Sequence, residues 1–153
     1  MNAAHLHLVL NQIPVIALPV ILIFLLYFHR TQNQAAEKFT LKVLIFFSLL
    51  VIPTFLTGEP AKNMIEDFPT INDKVLEPHE EAAQIALLLS AVTFVLAAVY
   101  LFIFDNVKLK KPIFVVLSVF LGAVVLTLFY TANLGAKIRH TEIRNVNQNF
   151  KIQ

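Results

Sequence analysis

Hydrophobic positions along this chain gather into four long stretches, Leu6 to Phe28, Phe39 to Leu56, Ala82 to Phe104 and Pro112 to Leu134, with polar segments between them. Each has roughly the ~20 residues that a helix needs to cross ~30 Å of hydrocarbon. The pattern predicts an all-α fold: a four-transmembrane-helix antiparallel bundle forming one integral membrane domain over residues 1–153. The second stretch is the shortest, which suits a less tilted or shallower helix. Between the second and third stretches lies "GEPAKNMIEDFPTINDKVLEPHEE". Pro60 suits a helical first turn, Met64, Ile65 and Phe68 make an apolar stripe, and Pro69 stops it. Ile71, Val75 and Leu76 repeat that stripe before Pro78, so two short interfacial helices, a lid over residues 58–80, are expected.

Composition agrees with the pattern. The chain is 58% hydrophobic and 14% charged, against ~25% charged in soluble domains. The absence of cysteine excludes disulfides, thiolate nucleophiles, iron–sulfur clusters and covalently attached haem. Three glycines leave no phosphate-cradling loop, and a net charge of +2 argues against nucleic acid. The residues before Leu6 include no Lys or Arg, so a cleaved secretory leader is not expected. Lys and Arg number three in "HRTQNQAAEKFTLK" (29–42) and three in "DNVKLKK" (105–111), against two in the acidic segment and four in the basic tail, 135–153. Short loops dominate insertion, so both basic linkers are expected in the cytoplasm and both termini outside it.

With four spans, His5, His7, His79 and His140 fall on one membrane face and only His29 on the other. Each taken singly reads as an ordinary interfacial residue, but their neighbours change the picture. At ~100° per residue, Asn11 lies near the His7 face and Gln12 near the His5 face, so both polar faces continue into the apolar run. Amides at that depth are expected to find partners within the protein. Gly135 and Ala136 remove bulk just before His140, allowing close approach of a helix or a flat cofactor. On this reading His140 turns inward toward His79 and the first-helix histidines. Lys137, Arg139 and Arg144 suit lipid headgroups, the anionic groups of a cofactor or the acidic lid. His79 with Glu80 and Glu81 is a weaker metal candidate, because zinc ligands on a helix are expected one turn apart. The second and fourth stretches also end alike, "TFLTG" (54–58) and "TANLG" (131–135), a Thr, three residues, Gly repeat.

The segments "HLHLVLNQIPVI" (5–16), "TGEPA" (57–61), "HEEAA" (79–83) and "TANLGAKIRHTEIR" (131–144) resemble a family of small, uncharacterised four-helix bacterial membrane proteins, related in pattern to larger domains of unknown function. The resemblance implies a bacterial membrane protein, and with the charge count above the expectation is the inner membrane with both termini on the periplasmic side. In that family the first motif carries a histidine two residues before its proline; here that position is Gln12, before Pro14. Some related domains accompany cytochrome modules. Two functions follow as expectations. The first is electron transfer through haem b, with a quinone or a cytochrome as partner. Its cofactor-binding candidates are His5, His7, His79, His140, Asn11, Gln12, Gly135 and Arg139, and its metal-ligand candidates are His7, His79 and His140. The second is a non-catalytic accessory subunit packed against other membrane subunits.

Overall fold

The computed structural model describes residues 2–65, 68, 71 and 73–140; Met1, residues 66–67, 69–70 and 72, and the tail from 141 to 153, with Glu142 and Arg144, lie outside the described residues. The described chain is all-helical, and four of its helical segments are long and apolar enough to cross a membrane. In order they are α1 (Ala3–Arg30), α2 (Gln34–Leu49) continued by α3 (Val51–Leu56), the single turn α4 (Gly58–Lys62), α5 (Asp73–Phe102) and α6 (Val107–Arg139). The protein is a multi-pass membrane helical bundle. Helix α1 packs on α2 and α6, and α5 packs on α6 and α2, so the spans form a ring.

The helices outrun the apolar stretches because local signals set their ends. Asn2, Asn33 and Asn106 are N-caps: their side-chain oxygens accept from the backbone N–H of His5, Ala36 and both Lys108 and Leu109. Between α1 and α2 the turn needs a left-handed residue, supplied by Gln32 at φ 58. The second stretch breaks at Leu50, where Pro53 has no N–H to offer the Leu49 carbonyl four residues earlier.

The segment between α3 and α5 differs from the expected pair of short helices. Its first part is the five-residue α4, followed by turns at Met64 and Ile65. Its second part is the opening of α5, which starts at Asp73 and continues through Pro78. A proline so near a helix start removes only one early hydrogen bond, so Pro78 does not divide the helix. Lys62 of α4 is tied to Glu80 of α5 at 2.8 Å, and the Glu80 carboxylate holds the partly exposed Lys62 ammonium above its ordinary pKa.

Helix α5 buries small residues, Ala82, Ala86, Ser90, Thr93 and Ala97, and turns Ile85, Leu88, Val95 and Val99 outward. Bulk on the lipid side and small side chains at the contacts suit a bundle in hydrocarbon. There, burying apolar surface between helices gains little and close packing gains more.

At one end of the bundle a single carboxylate joins all four spans. Glu37, in the first turn of α2, is 1% exposed. Its Oε1 receives His29 Nδ1 from the end of α1 at 2.8 Å and the Tyr100 hydroxyl from the end of α5 at 2.7 Å. Its Oε2 lies 3.4 Å from Lys110 Nζ at the start of α6. Phe114 stacks on His29 with ring centres 3.5 Å apart, and Phe104 lies beneath Lys110 at 3.8 Å. Lys38, beside Glu37, makes an outer pair with the exposed Asp105. Removing one partner of a buried pair leaves an uncompensated charge and costs about 3–5 kcal/mol, whereas an exposed pair contributes about 0–1 kcal/mol. Glu37→Ala is therefore expected to lower the unfolding free energy in detergent by about 3–5 kcal/mol, and Asp105→Asn by under about 1 kcal/mol. Denaturant titration followed by circular dichroism measures both, and equal effects would show that Glu37 does not join the spans.

Candidate functional site

The opposite end of the bundle is built from a proline outward. Pro14 has no N–H, so the Leu10 carbonyl of α1 lacks its helical partner. The Thr54 hydroxyl of α3 lies 3.4 Å from that oxygen and 2.9 Å from the Leu50 carbonyl of its own chain segment. This contact sets α3 beside the first turns of α1, where His7 projects. Helix α3 ends at Leu56, so its last-turn carbonyls need partners from outside the helix. The Thr54 carbonyl receives His7 Nδ1 at 3.1 Å and the Thr57 hydroxyl at 2.8 Å, and the Thr57 oxygen lies 3.1 Å from His7 Nδ1. The His7 ring therefore seats on the end of α3.

The other hairpin repeats the device. His79 Nδ1 of α5 lies 3.0 Å from the Thr131 carbonyl of α6. Thr131 turns its hydroxyl back to the Thr127 carbonyl, leaving its own carbonyl to face the imidazole. In both hairpins the glycine four residues after the threonine lies against the ring. A Cβ on Gly58 would meet His7 Cε1 at 3.6 Å, and one on Gly135 would meet His79 Cε1 at 3.2 Å and Nδ1 at 3.5 Å. The repeat seen in the sequence is thus a seat for an imidazole from the partner helix: a threonine carbonyl to bind it and a glycine to admit it.

A carbonyl oxygen only accepts, so each imidazole carries a hydrogen on Nδ1, and in its neutral form Nε2 keeps the lone pair. Neither Nε2 is hydrogen-bonded among the described residues. The two rings lie with centroids 6.5 Å apart and planes at 86°. In their neutral form the two rings are a pair of nitrogen donors, each oriented through Nδ1 by a backbone carbonyl, which is the usual support of a metal-bound histidine.

The sequence candidates separate into groups. His7, His79 and Gly135 come together. His5, Gln12 and Arg139 instead line a hollow of about 450 Å³ beside the start of α1. Gln12 is exposed on the outer face of α1, and neither it nor the half-buried Asn11 makes a hydrogen bond among the described residues, contrary to the expectation of internal partners. Gln12, two residues before Pro14, therefore lies in that hollow. His140 is the exposed C-cap of α6, and the imidazole seated against Gly135 is that of His79 instead. Helix α6 ends one residue before His140, so its chain has already left the helical path that would carry the ring inward. Among the described residues no three His, Cys, Asp or Glu side chains gather as a metal-binding group. The triad of His7, His79 and His140 and the cluster of His79, Glu80 and Glu81 are not such groups, and Glu80 is taken by Lys62.

Thr54, Thr57, Gly58 and Thr131 were not among the sequence candidates. Their signal was the Thr–Gly repeat, whose partner side chains lie 47 and 52 residues away along the chain. Comparison with family models, with curated proteins and with solved structures gave no match.

The two glycines differ in the room beside them. Gly135→Leu is expected to push His79 off the Thr131 carbonyl and to destabilise the bundle by about 1–3 kcal/mol through overpacking. Gly58→Ala fits at ordinary contact distance and is expected to be neutral. Nitrogen-15 NMR of the histidine side chains reports each Nδ1–H directly; retention of the His79 signal in Gly135→Leu would show that the glycine is not its seat.

Proposed function

We propose that this protein is a membrane electron-transfer protein that binds haem b between His7 and His79. The observation that carries the reading is the pair of imidazoles held by Nδ1 on the Thr54 and Thr131 carbonyls, each with Nε2 left as a donor. His7 and His79, whose ring centroids lie 6.5 Å apart, are the residues that would hold the metal of the haem. A donor set of two suits a metal whose remaining ligands come from a macrocycle, whereas a zinc site expects at least three protein ligands. Haem supplies reversible one-electron chemistry. The residues of this chain hold the two donors oriented on backbone carbonyls, in partly buried positions at the end of the bundle. A quinone or a cytochrome is the natural redox partner.

On this reading the bundle is antiparallel, with the segment 58–80 as a lid over the imidazole end. The protein sits in a bacterial inner membrane with both termini on the periplasmic side. The support is charge: the linkers at 29–42 and 105–111 hold three Lys or Arg each and are short enough to govern insertion. A non-catalytic accessory subunit is the second reading, favoured by the outward-facing Phe39, Phe46 and Phe102, which suit contact with other membrane subunits as well as with lipid.

A reduced-minus-oxidised spectrum of the protein purified in mild detergent is expected to show a b-type haem. His7→Ala and His79→Ala are each expected to cut haem retention at least about tenfold, while His140→Ala retains it. A colourless preparation without bound metal, whose three variants all match the parent in thermal stability, would leave the accessory-subunit reading.

Terminal reporter fusions test the orientation. A periplasm-active reporter is expected to work at either terminus; activity of a cytoplasm-only reporter at the C-terminus would assign orientation to the basic tail instead.

A further inference from the structure

A groove of about 880 Å³ runs along the outer face of the bundle between α1 and α2, from Val9 down to Phe28 on one side and along Phe39 to Phe47 on the other. Val9 and Gln12 line both this groove and the hollow of about 450 Å³ that holds Asn2, His5, Leu8 and Arg139. The two spaces adjoin at these residues, with the hollow, which carries Asn2, His5 and Arg139, at the start of α1 and the apolar groove below it.

The groove is lined by apolar side chains apart from Gln12 and Thr40 and opens on the outer face of the bundle, where the hydrocarbon chains of a membrane lie along it. The hollow selects the head. Arg139 is a permanent cation at the last residue of α6 and pairs with no acidic side chain among the described residues. Gln12 presents an amide without a hydrogen bond where hydrocarbon can offer none. A guanidinium and an amide N–H together ask for anionic and ester oxygens. We propose that the N-terminal end of α1 and the C-terminal end of α6 bind one anionic glycerophospholipid, its phosphate at Arg139, its ester region at Gln12 and one acyl chain in the α1–α2 groove. The site uses neither of the paired imidazoles and stands independently of the haem reading.

Native mass spectrometry of the delipidated full chain, titrated with phosphatidylglycerol and with phosphatidylcholine of identical acyl chains, tests this. The parent is expected to bind one phosphatidylglycerol about tenfold more tightly than phosphatidylcholine. Arg139→Gln is expected to remove that preference. Ile16→Trp, which fills the groove, is expected to weaken both lipids alike and keep the preference, and circular dichroism checks that both variants stay helical. Glycerol phosphate at the same concentrations is expected not to compete, because it lacks the chain. Equal binding of the two lipids by the parent, a preference that survives Arg139→Gln, or competition by glycerol phosphate would each overturn the proposal.

Discussion

Hydrocarbon offers no hydrogen bonds, so polar groups within the spans of this bundle turn to their own helix, as the hydroxyls of Thr40, Thr93 and Ser118 do, or to a neighbouring one, and among the described residues the buried hydroxyls of Ser48 and Ser90 have no partner. That constraint sets the register of the molecule. Apolar side chains alone would tolerate sliding, because a leucine meets lipid and another leucine on similar terms. The polar contacts do not tolerate it. Glu37 draws His29, Tyr100 and Lys110 to one carboxylate at one end. At the other, the carbonyls of Thr54 and Thr131 fix the two imidazoles. Between these ends the small buried face of α5 lets the helices close.

The imidazole end follows from losses in the helical hydrogen-bond ladder. Pro14 strands the Leu10 carbonyl, and the end of α3 strands that of Thr54. Thr54 engages both, through its hydroxyl and its own carbonyl, and so links the proline in α1 to the ring of His7. The α5–α6 hairpin reaches the same outcome without a helix break, because a carbonyl has a second lone pair and Gly135 lets the ring approach it. Two different backbone situations thus present the same chemistry, an Nδ1-protonated imidazole with its other nitrogen available. Convergence on one tautomer is what a metal-binding pair requires, and it is also compatible with a purely structural clasp between hairpins.

The two ends differ in chemical character. Glu37 is surrounded by donors and a cation, so it is consumed by its contacts. The imidazoles are each satisfied on one nitrogen only. A polar group that keeps a free lone pair adds no tie of its own through that atom, so it is the imidazole pair, and not Glu37, that keeps capacity for a ligand.

Four spans, their apolar ends and the gathering of His7 and His79 on one face were legible in the sequence, because length and hydropathy report the solvent of each segment directly. The Thr–Gly repeat was legible as a pattern and silent as to meaning. Residues that meet only when hairpins close leave no local periodicity, and a carbonyl seat has no side-chain signature at all. For the same reason Glu37 read as one charge in a basic linker, although it is among the most buried side chains of the chain. His140 shows the reverse error: nearness in sequence to Gly135 suggested a shared site, yet the ring at that glycine comes from α5. Sequence by itself determined which segments lie in the membrane, since that is decided residue by residue against hydrocarbon. Tertiary structure alone decided which polar groups meet, since each choice depends on backbone atoms freed or taken on another helix.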